Sequence, residues 1–131
     1  MKKLKGWILM LSILLSLFGM TACSNDGANS YEQITPQEAK MIMDTENDYI
    51  IIDARTAEEF AEGHIENAVL LDYEDVKSKA HVVLPDKEQL ILVYCRSGRR
   101  SKIASEELVK LGYTNVKEFG GIIDWPYDVV K

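Results

Sequence analysis

The chain is poor in the residues that hold a fold together without a core. Its 131 residues include two cysteines, three prolines and eight glycines. Two cysteines make neither a disulfide framework nor a four-thiolate zinc site. So little proline and glycine excludes a collagen-like or low-complexity chain. Basic charge is also short, with 15 Lys plus Arg against 21 Asp plus Glu and a formal net charge of -6. Nucleic-acid affinity comes mainly from Lys and Arg neutralising phosphates, so nucleic acid is not an expected partner. The two histidines, His64 and His81, lie far from Cys95 in sequence, and no metal is expected. What is present is 47% hydrophobic content, enough for the core of one domain and, at this length, not of two.

The one long apolar run is at the start. Lys2, Lys3 and Lys5 precede 12 apolar-rich residues from Trp7 to Phe18, followed by Gly19-Met20-Thr21-Ala22. This order of charge, apolar run and small residues reads as a secretory signal peptide over residues 1–22. An uncleaved membrane anchor is the alternative, but Gly6 to Ala22 is only 17 residues, at the short end of what spans a bilayer. Met20-Thr21-Ala22-Cys23 resembles the lipobox of bacterial lipoproteins, although Met20 stands where leucine is usual. That resemblance implies cleavage before Cys23, lipidation of its sulfur and an extracytoplasmic domain anchored to a membrane by lipid. An ordinary cleaved signal that frees the domain stays open. Residues 24–30 (SNDGANS) then read as a polar, flexible tether. Removal of the three lysines leaves 12 basic against 21 acidic residues, a net charge of -9, so attachment must come from lipid and not from a basic patch.

From Tyr31 to Lys131 short apolar runs alternate with amphipathic stretches, the pattern of an α/β domain with a small parallel sheet flanked by helices on both faces. Thr35-Pro36-Gln37-Glu38 and Thr56-Ala57-Glu58-Glu59 are capping boxes that start two helices, the second stopping near Gly63. Tyr49 to Asp53 and Leu90 to Tyr94 are buried strands. Ala68 to Leu71 reads as another strand, Tyr73 to Lys79 as a short helix, and Val82 to Asp86 as a turn region. Ile103, Ala104, Leu108 and Leu111 mark the inner face of a helix ended by Gly112. Val116 to Phe119 reads as the last strand, broken by Gly120-Gly121 before a turn through Trp125 and Pro126.

Cys95 stands at the carboxyl end of the clearest strand, where ligands of open parallel sheets bind. The segment Arg96-Ser97-Gly98-Arg99-Arg100-Ser101 follows and runs into a helix. A sulfur there is faced by backbone N–H groups and by the positive end of the helix dipole, and both favour thiolate. Three arginines in six residues reverse the sign of an otherwise acidic domain, as a nucleophile for an anionic substrate requires. A buried, inert thiol is the plain alternative, but this loop offers little apolar surface to pack.

Tyr94-Cys95-Arg96-Ser97-Gly98-Arg99-Arg100-Ser101 resembles the active-site loop of single-domain rhodaneses, sulfurtransferases that carry sulfur as a cysteine persulfide. Asp53-Ala54-Arg55 with Glu59-Phe60, Gly63-His64-Ile65 before Ala68, and Gly120-Gly121 with Trp125 are similar to the same family, in the same order. The resemblance implies that Cys95 takes sulfur from thiosulfate or a similar small anionic donor and passes it to cyanide or a thiol, with no cofactor. It implies that the N–H groups from Arg96 to Ser101 hold the persulfide, that Arg96 and Arg99 attract the donor, and that Arg100 braces the loop.

Cysteine phosphatases also use a thiolate in an anion-binding loop, but they place five residues between cysteine and arginine. Here that position is Ser101 and the arginine comes one residue early, at Arg100, so the shorter loop favours sulfur over a phosphoryl group. Asp53, Arg55 and Glu59 read as a structural polar network tying a strand end to the next helix. His64 reads as a structural or capping residue, His81 as exposed, and Trp125 as either lining the site or closing the core. A rhodanese-like persulfide or partner docking module without turnover is the rival to an enzyme. If Cys23 is lipidated, Cys95 is the chain's one remaining thiol, which implies dependence on an external reductant or thiol partner.

Overall fold

Tyr49-Ile50-Ile51-Ile52-Asp53 and Leu90-Ile91-Leu92-Val93-Tyr94-Cys95 are too short and too β-branched or aliphatic to prefer a helix. In the computed structural model, which describes residues 30–131, both are interior strands. The expected signal peptide (1–22), Cys23 and the tether as far as residue 29 lie outside the described residues.

The elements run β1 (Glu32–Gln33), α1 (Pro36–Thr45), β2 (Tyr49–Asp53), α2 (Ala57–Glu62), β3 (Val69–Leu70), α3 (Val76–Val83), β4 (Leu90–Cys95), α4 (Arg99–Lys110) and β5 (Val116–Gly121), with 3-10 turns at Tyr73–Asp75 and Ile122–Asp124. The sheet has five parallel strands in the order β1-β5-β4-β2-β3. β4 is central, paired from Leu90 opposite Tyr49 to Tyr94 opposite Asp53.

Side-chain alternation sends β2 and β4 residues to two cores. On one face Ile52, Ile91, Val93, Cys95 and Val116 pack with Val76 and Ala80 of α3 and Ala104 and Leu108 of α4. On the other, Ile51, Leu92, Tyr94 and Phe119 pack with Ala39, Ile42 and Met43 of α1. Each fully buried Ile, Leu or Val contributes about 1.5–3 kcal/mol, so both interior strands are locked in register by burial on two sides.

Both capping boxes form: Thr35 and Thr56 accept from the N–H groups of Glu38 and Glu59, whose carboxylates accept in return from the cap N–H groups. Several boundaries differ from the sequence expectation. The helix expected from Tyr73 to Lys79 is a 3-10 turn followed by α3, which reaches Val83 and shortens the turn before Pro85. Ile103 is not on the inner face of α4 but 39% exposed, and Ser101 and Ser105 share the inner face with Ala104 and Leu108. Gly120 and Gly121 do not break the last strand but complete it, beside a register irregularity between Val93 and Cys95.

Candidate active site

The strand ends of β2, β4 and β5 share one edge of the sheet. Cys95 is the last residue of β4, lies opposite Gly121 and is 1% exposed. The chain then turns through Arg96-Ser97-Gly98 into α4. Gly98 adopts φ +109°, a left-handed conformation that a residue without Cβ takes at little cost. Its N–H is thereby aimed back at Cys95 and donates to Sγ at 3.0 Å. Gly98 is also the N-cap of α4 and has no side chain to satisfy the first turn. The N–H groups of Arg99, Arg100 and Ser101 therefore lack intrahelical acceptors, and the helix dipole favours negative charge there.

Gly121 fixes the loop from the other side. A Cβ added to it would lie 2.0 Å from Arg96 O and 2.5 Å from Ser97 Cα, so β5 meets the loop backbone against backbone. The Ile123 N–H donates to Arg96 O at 3.2 Å and continues that contact.

The arginines separate into two roles. Arg96 and Arg99 are exposed and line a cleft of about 500 Å³ together with Thr56, Asp72, Tyr73 and Ser97. The Arg99 guanidinium lies over the Tyr73 ring at 5.8 Å from its centroid. Arg100 also reaches this cleft, but its guanidinium donates to both Glu59 carboxylate oxygens at 2.8 and 2.9 Å. The Arg100 hydrogen bonds hold the Glu59 carboxyl down to about 2, helped by those from Thr56 and opposed by burial.

Asp53, Arg55 and Glu59 do not form the single network expected from sequence. Arg55 is a fork on Asp53, with Nε to Oδ1 at 2.9 Å and Nη2 to Oδ2 at 2.7 Å, and also donates to Gly63 O. Tyr94 closes this buried group by donating to Asp53 Oδ2 at 2.6 Å, and burial followed by that carboxylate raises its phenol well above the usual range. Glu59 instead belongs to the loop, through Arg100. Its capping-box position puts its carboxylate at the start of α2, within reach of α4.

Ser101 is fully buried behind the cysteine, its hydroxyl 3.3 Å from Cys95 Sγ and 2.5 Å from Glu118 Oε2. Sequence reasoning missed Glu118. Its signal was an acid in a short strand at the same parity as Val116, hence directed inward with it. His64 stacks on Phe60 with ring centroids 3.7 Å apart, and its Nδ1 lies 2.9 Å from Phe60 O, at the end of α2. His81 is exposed. Trp125 does not line the cysteine cleft; it packs with Phe119 and Tyr127 on the opposite sheet face. Among the described residues no group of three or more His, Cys, Asp or Glu side chains could hold a metal ion.

The family model described as the rhodanese-like domain matches residues 35–126, from the first helix cap past β5. The chain belongs to the rhodanese-like family. Among relatives of this rhodanese-like chain, the thiosulfate sulfurtransferase PspE of Escherichia coli (strain K12) is 36% identical over 80 residues, covering 61% of this chain and 77% of that one. The solved structure of a rhodanese with anions from E. coli is similar with a TM-score of 0.60 and 35% identity, covering 63% and 98% of the two chains. That of a rhodanese-related protein from Thermoplasma volcanium is similar with a TM-score of 0.66 and 28% identity, covering 76% and 98%. The parallel five-stranded sheet with its helices is thus the rhodanese-like fold, and the homologues include sulfurtransferases.

Proposed function

We propose that the protein is a sulfurtransferase that moves sulfane sulfur from thiosulfate or a related anionic donor to a thiol or cyanide through a Cys95 persulfide. The carrying observation is Cys95 at the end of the central strand, its sulfur receiving the Gly98 N–H where α4 begins, with Arg96 and Arg99 exposed on the adjoining cleft. In the first step the Cys95 thiolate attacks the outer sulfur of thiosulfate. A Cys95 S–S bond forms, the donor's S–S bond breaks, and sulfite leaves with the electron pair. Arg96 and Arg99 hold the departing anion, while the first N–H groups of α4 take the charge of the persulfide. In the second step a thiolate or cyanide bonds to the terminal sulfur and Cys95 leaves as thiolate. Arg100, committed to Glu59, keeps the loop in shape.

The segment from Lys2 to Cys23 supports the further reading that this enzyme works outside the cytoplasm on a lipid anchor. Intact-mass spectrometry of the full chain, purified in detergent, tests both parts. The expected result is a lipid adduct at Cys23, and a gain of one sulfur on Cys95 with thiosulfate that cyanide removes. Cys95→Ser abolishes the sulfur gain. A folded, reduced protein that gains no sulfur would leave the docking module as the better reading, and a free Cys23 thiol in membrane-extracted protein would refute lipidation.

A further inference from the structure

Glu118 is a buried acid to which the transfer chemistry above assigns no part. It is 2% exposed, and among the described residues no Lys or Arg forms an ion pair with it. Its Oε2 accepts from the Ser101 hydroxyl at 2.5 Å and from the Gly120 N–H at 2.9 Å, with Gln33 Nε2 3.5 Å from Oε1. Ser101 Oγ is in turn 3.3 Å from Cys95 Sγ, with Gly98 O at 3.1 Å and Gly120 O at 3.4 Å.

The Ser101–Glu118 contact holds one proton, and a serine hydroxyl has only one to give. Ser101 can turn that proton to Gly98 O or Gly120 O instead, but two arrangements link the sulfur to the carboxylate. In one the Cys95 thiol donates to Ser101 and Ser101 donates to an ionised Glu118; in the other a neutral Glu118 donates to Ser101 and Ser101 donates to a Cys95 thiolate. The two differ by moving two protons one hydrogen bond along. The S–H bond breaks as a Ser101 O–H bond forms, and the original Ser101 O–H bond breaks as a Glu118 O–H bond forms.

We infer that Cys95, Ser101 and Glu118 form a proton relay that removes the thiol proton on the side away from the substrate cleft. Glu118 is a positioning residue that acts through Ser101. A second groove, of about 440 Å³, is lined by Glu118 together with Gln33, Ser97, Gly98, Lys102 and Gly120. It lies on the β1 and β5 side of the loop, whereas the arginine cleft opens toward Thr56 and Tyr73. A proton taken up by Glu118 has this groove beside it and need not pass the arginine cleft. The other titratable groups facing Glu118 are Tyr31, which also feels Glu106, and Lys102 and Asp124 around the groove; Arg100 acts on Cys95.

The relay rests on Cys95 being the sulfur carrier, so its test uses a reaction that needs a thiolate and no sulfur donor. The full chain in detergent is alkylated with iodoacetamide from about pH 5 to about pH 9, across the range where an ordinary thiol ionises, and the Cys95 peptide is quantified. Glu118→Gln should slow alkylation at about pH 6 by about a hundredfold, the lower end of what a positioned proton acceptor contributes, and leave the rate at about pH 9 within about twofold. Ser101→Ala should show the same loss, Ser101→Thr should restore the rate, and the double variant should lose no more than either single one. If Glu118 is only a negative charge beside the sulfur, Glu118→Gln favours the thiolate and alkylation at about pH 6 becomes faster. That acceleration, or an unchanged profile, would overturn the relay. Should Glu118→Gln fail to fold, the Ser101 pair decides alone. Wild-type protein with the expected profile that takes no sulfur from thiosulfate would support the relay and refute sulfur transfer.

Discussion

Two buried carboxylates sit near the same edge of the sheet, and their surroundings differ in kind. Asp53 at the end of β2 is held by both faces of the Arg55 fork, by the Arg55 N–H and by the Tyr94 hydroxyl, a closed set with its charge cancelled. Glu118 in β5 has one hydroxyl, one N–H, a distant amide and no ion-pair partner among the described residues, and its hydroxyl partner leads to Cys95. The first arrangement spends its hydrogen bonds on fixing a backbone corner. The second leaves a carboxylate one hydroxyl away from the Cys95 sulfur. Burial alone therefore does not distinguish a structural acid from a working one; the partner set does.

Breaking the closed set gives the largest expected effect. Asp53→Asn leaves the Arg55 charge buried without its counter-ion and should cost about 3–5 kcal/mol in urea unfolding, against about 1 kcal/mol for Glu118→Gln, where one uncharged hydrogen-bonding group replaces an unpaired acid. Equal costs would erase the distinction between the two sites. Tyr94→Phe tests one strand of the Asp53 set and should cost about 1.5–3 kcal/mol in the same assay, the range for a hydrogen bond to a charged group, while leaving the pH profile of Cys95 alkylation unchanged. An equally small effect belongs to the partly exposed Glu59–Arg100 pair. Glu59 is held down to about 2 by Arg100, so the pair's contribution is complete above the ordinary glutamate range near 4.5 and is lost as pH falls toward 2. Glu59→Gln should be less stable than wild type by about 1 kcal/mol at neutral pH, and the two unfolding curves should converge in acid.

The sequence was legible where one local rule acted alone. Thr35 and Thr56 announced their helices because a capping box is complete within four residues, and the runs around Ile51 and Leu92 announced strands buried on both faces. Cys95 stood out because its loop carries charge and glycine where a core cysteine would have apolar neighbours. What failed to show depended on a second segment. β1 is two residues long and exists only because β5 offers Glu32 and Gln33 a partner. Gly120 and Gly121 read as a break because glycine usually is one, yet the crowding of Arg96 and Ser97 against Gly121 is what demands it inside a strand. Glu59 has two partners within hydrogen-bonding range of its carboxylate, and the distant one, Arg100, is 41 residues away. Glu118 meets Ser101 across 17 residues, a separation at which no spacing rule operates.

The position of Cys95 at the tip of the central strand also bears on the order in which the molecule comes together. Its supports are non-local: β2 on one flank, β5 on the other, and the backbone of Gly121 against the loop. Parallel pairings of this kind close late in folding, because chain entropy is lost before the contacts return it. A chain whose sheet has not closed lacks the Gly98 N–H and the helix start that face Cys95 in the folded protein. Cys95 gains its surroundings only when the sheet closes, so completion of the fold is itself the step that would turn the proposed chemistry on.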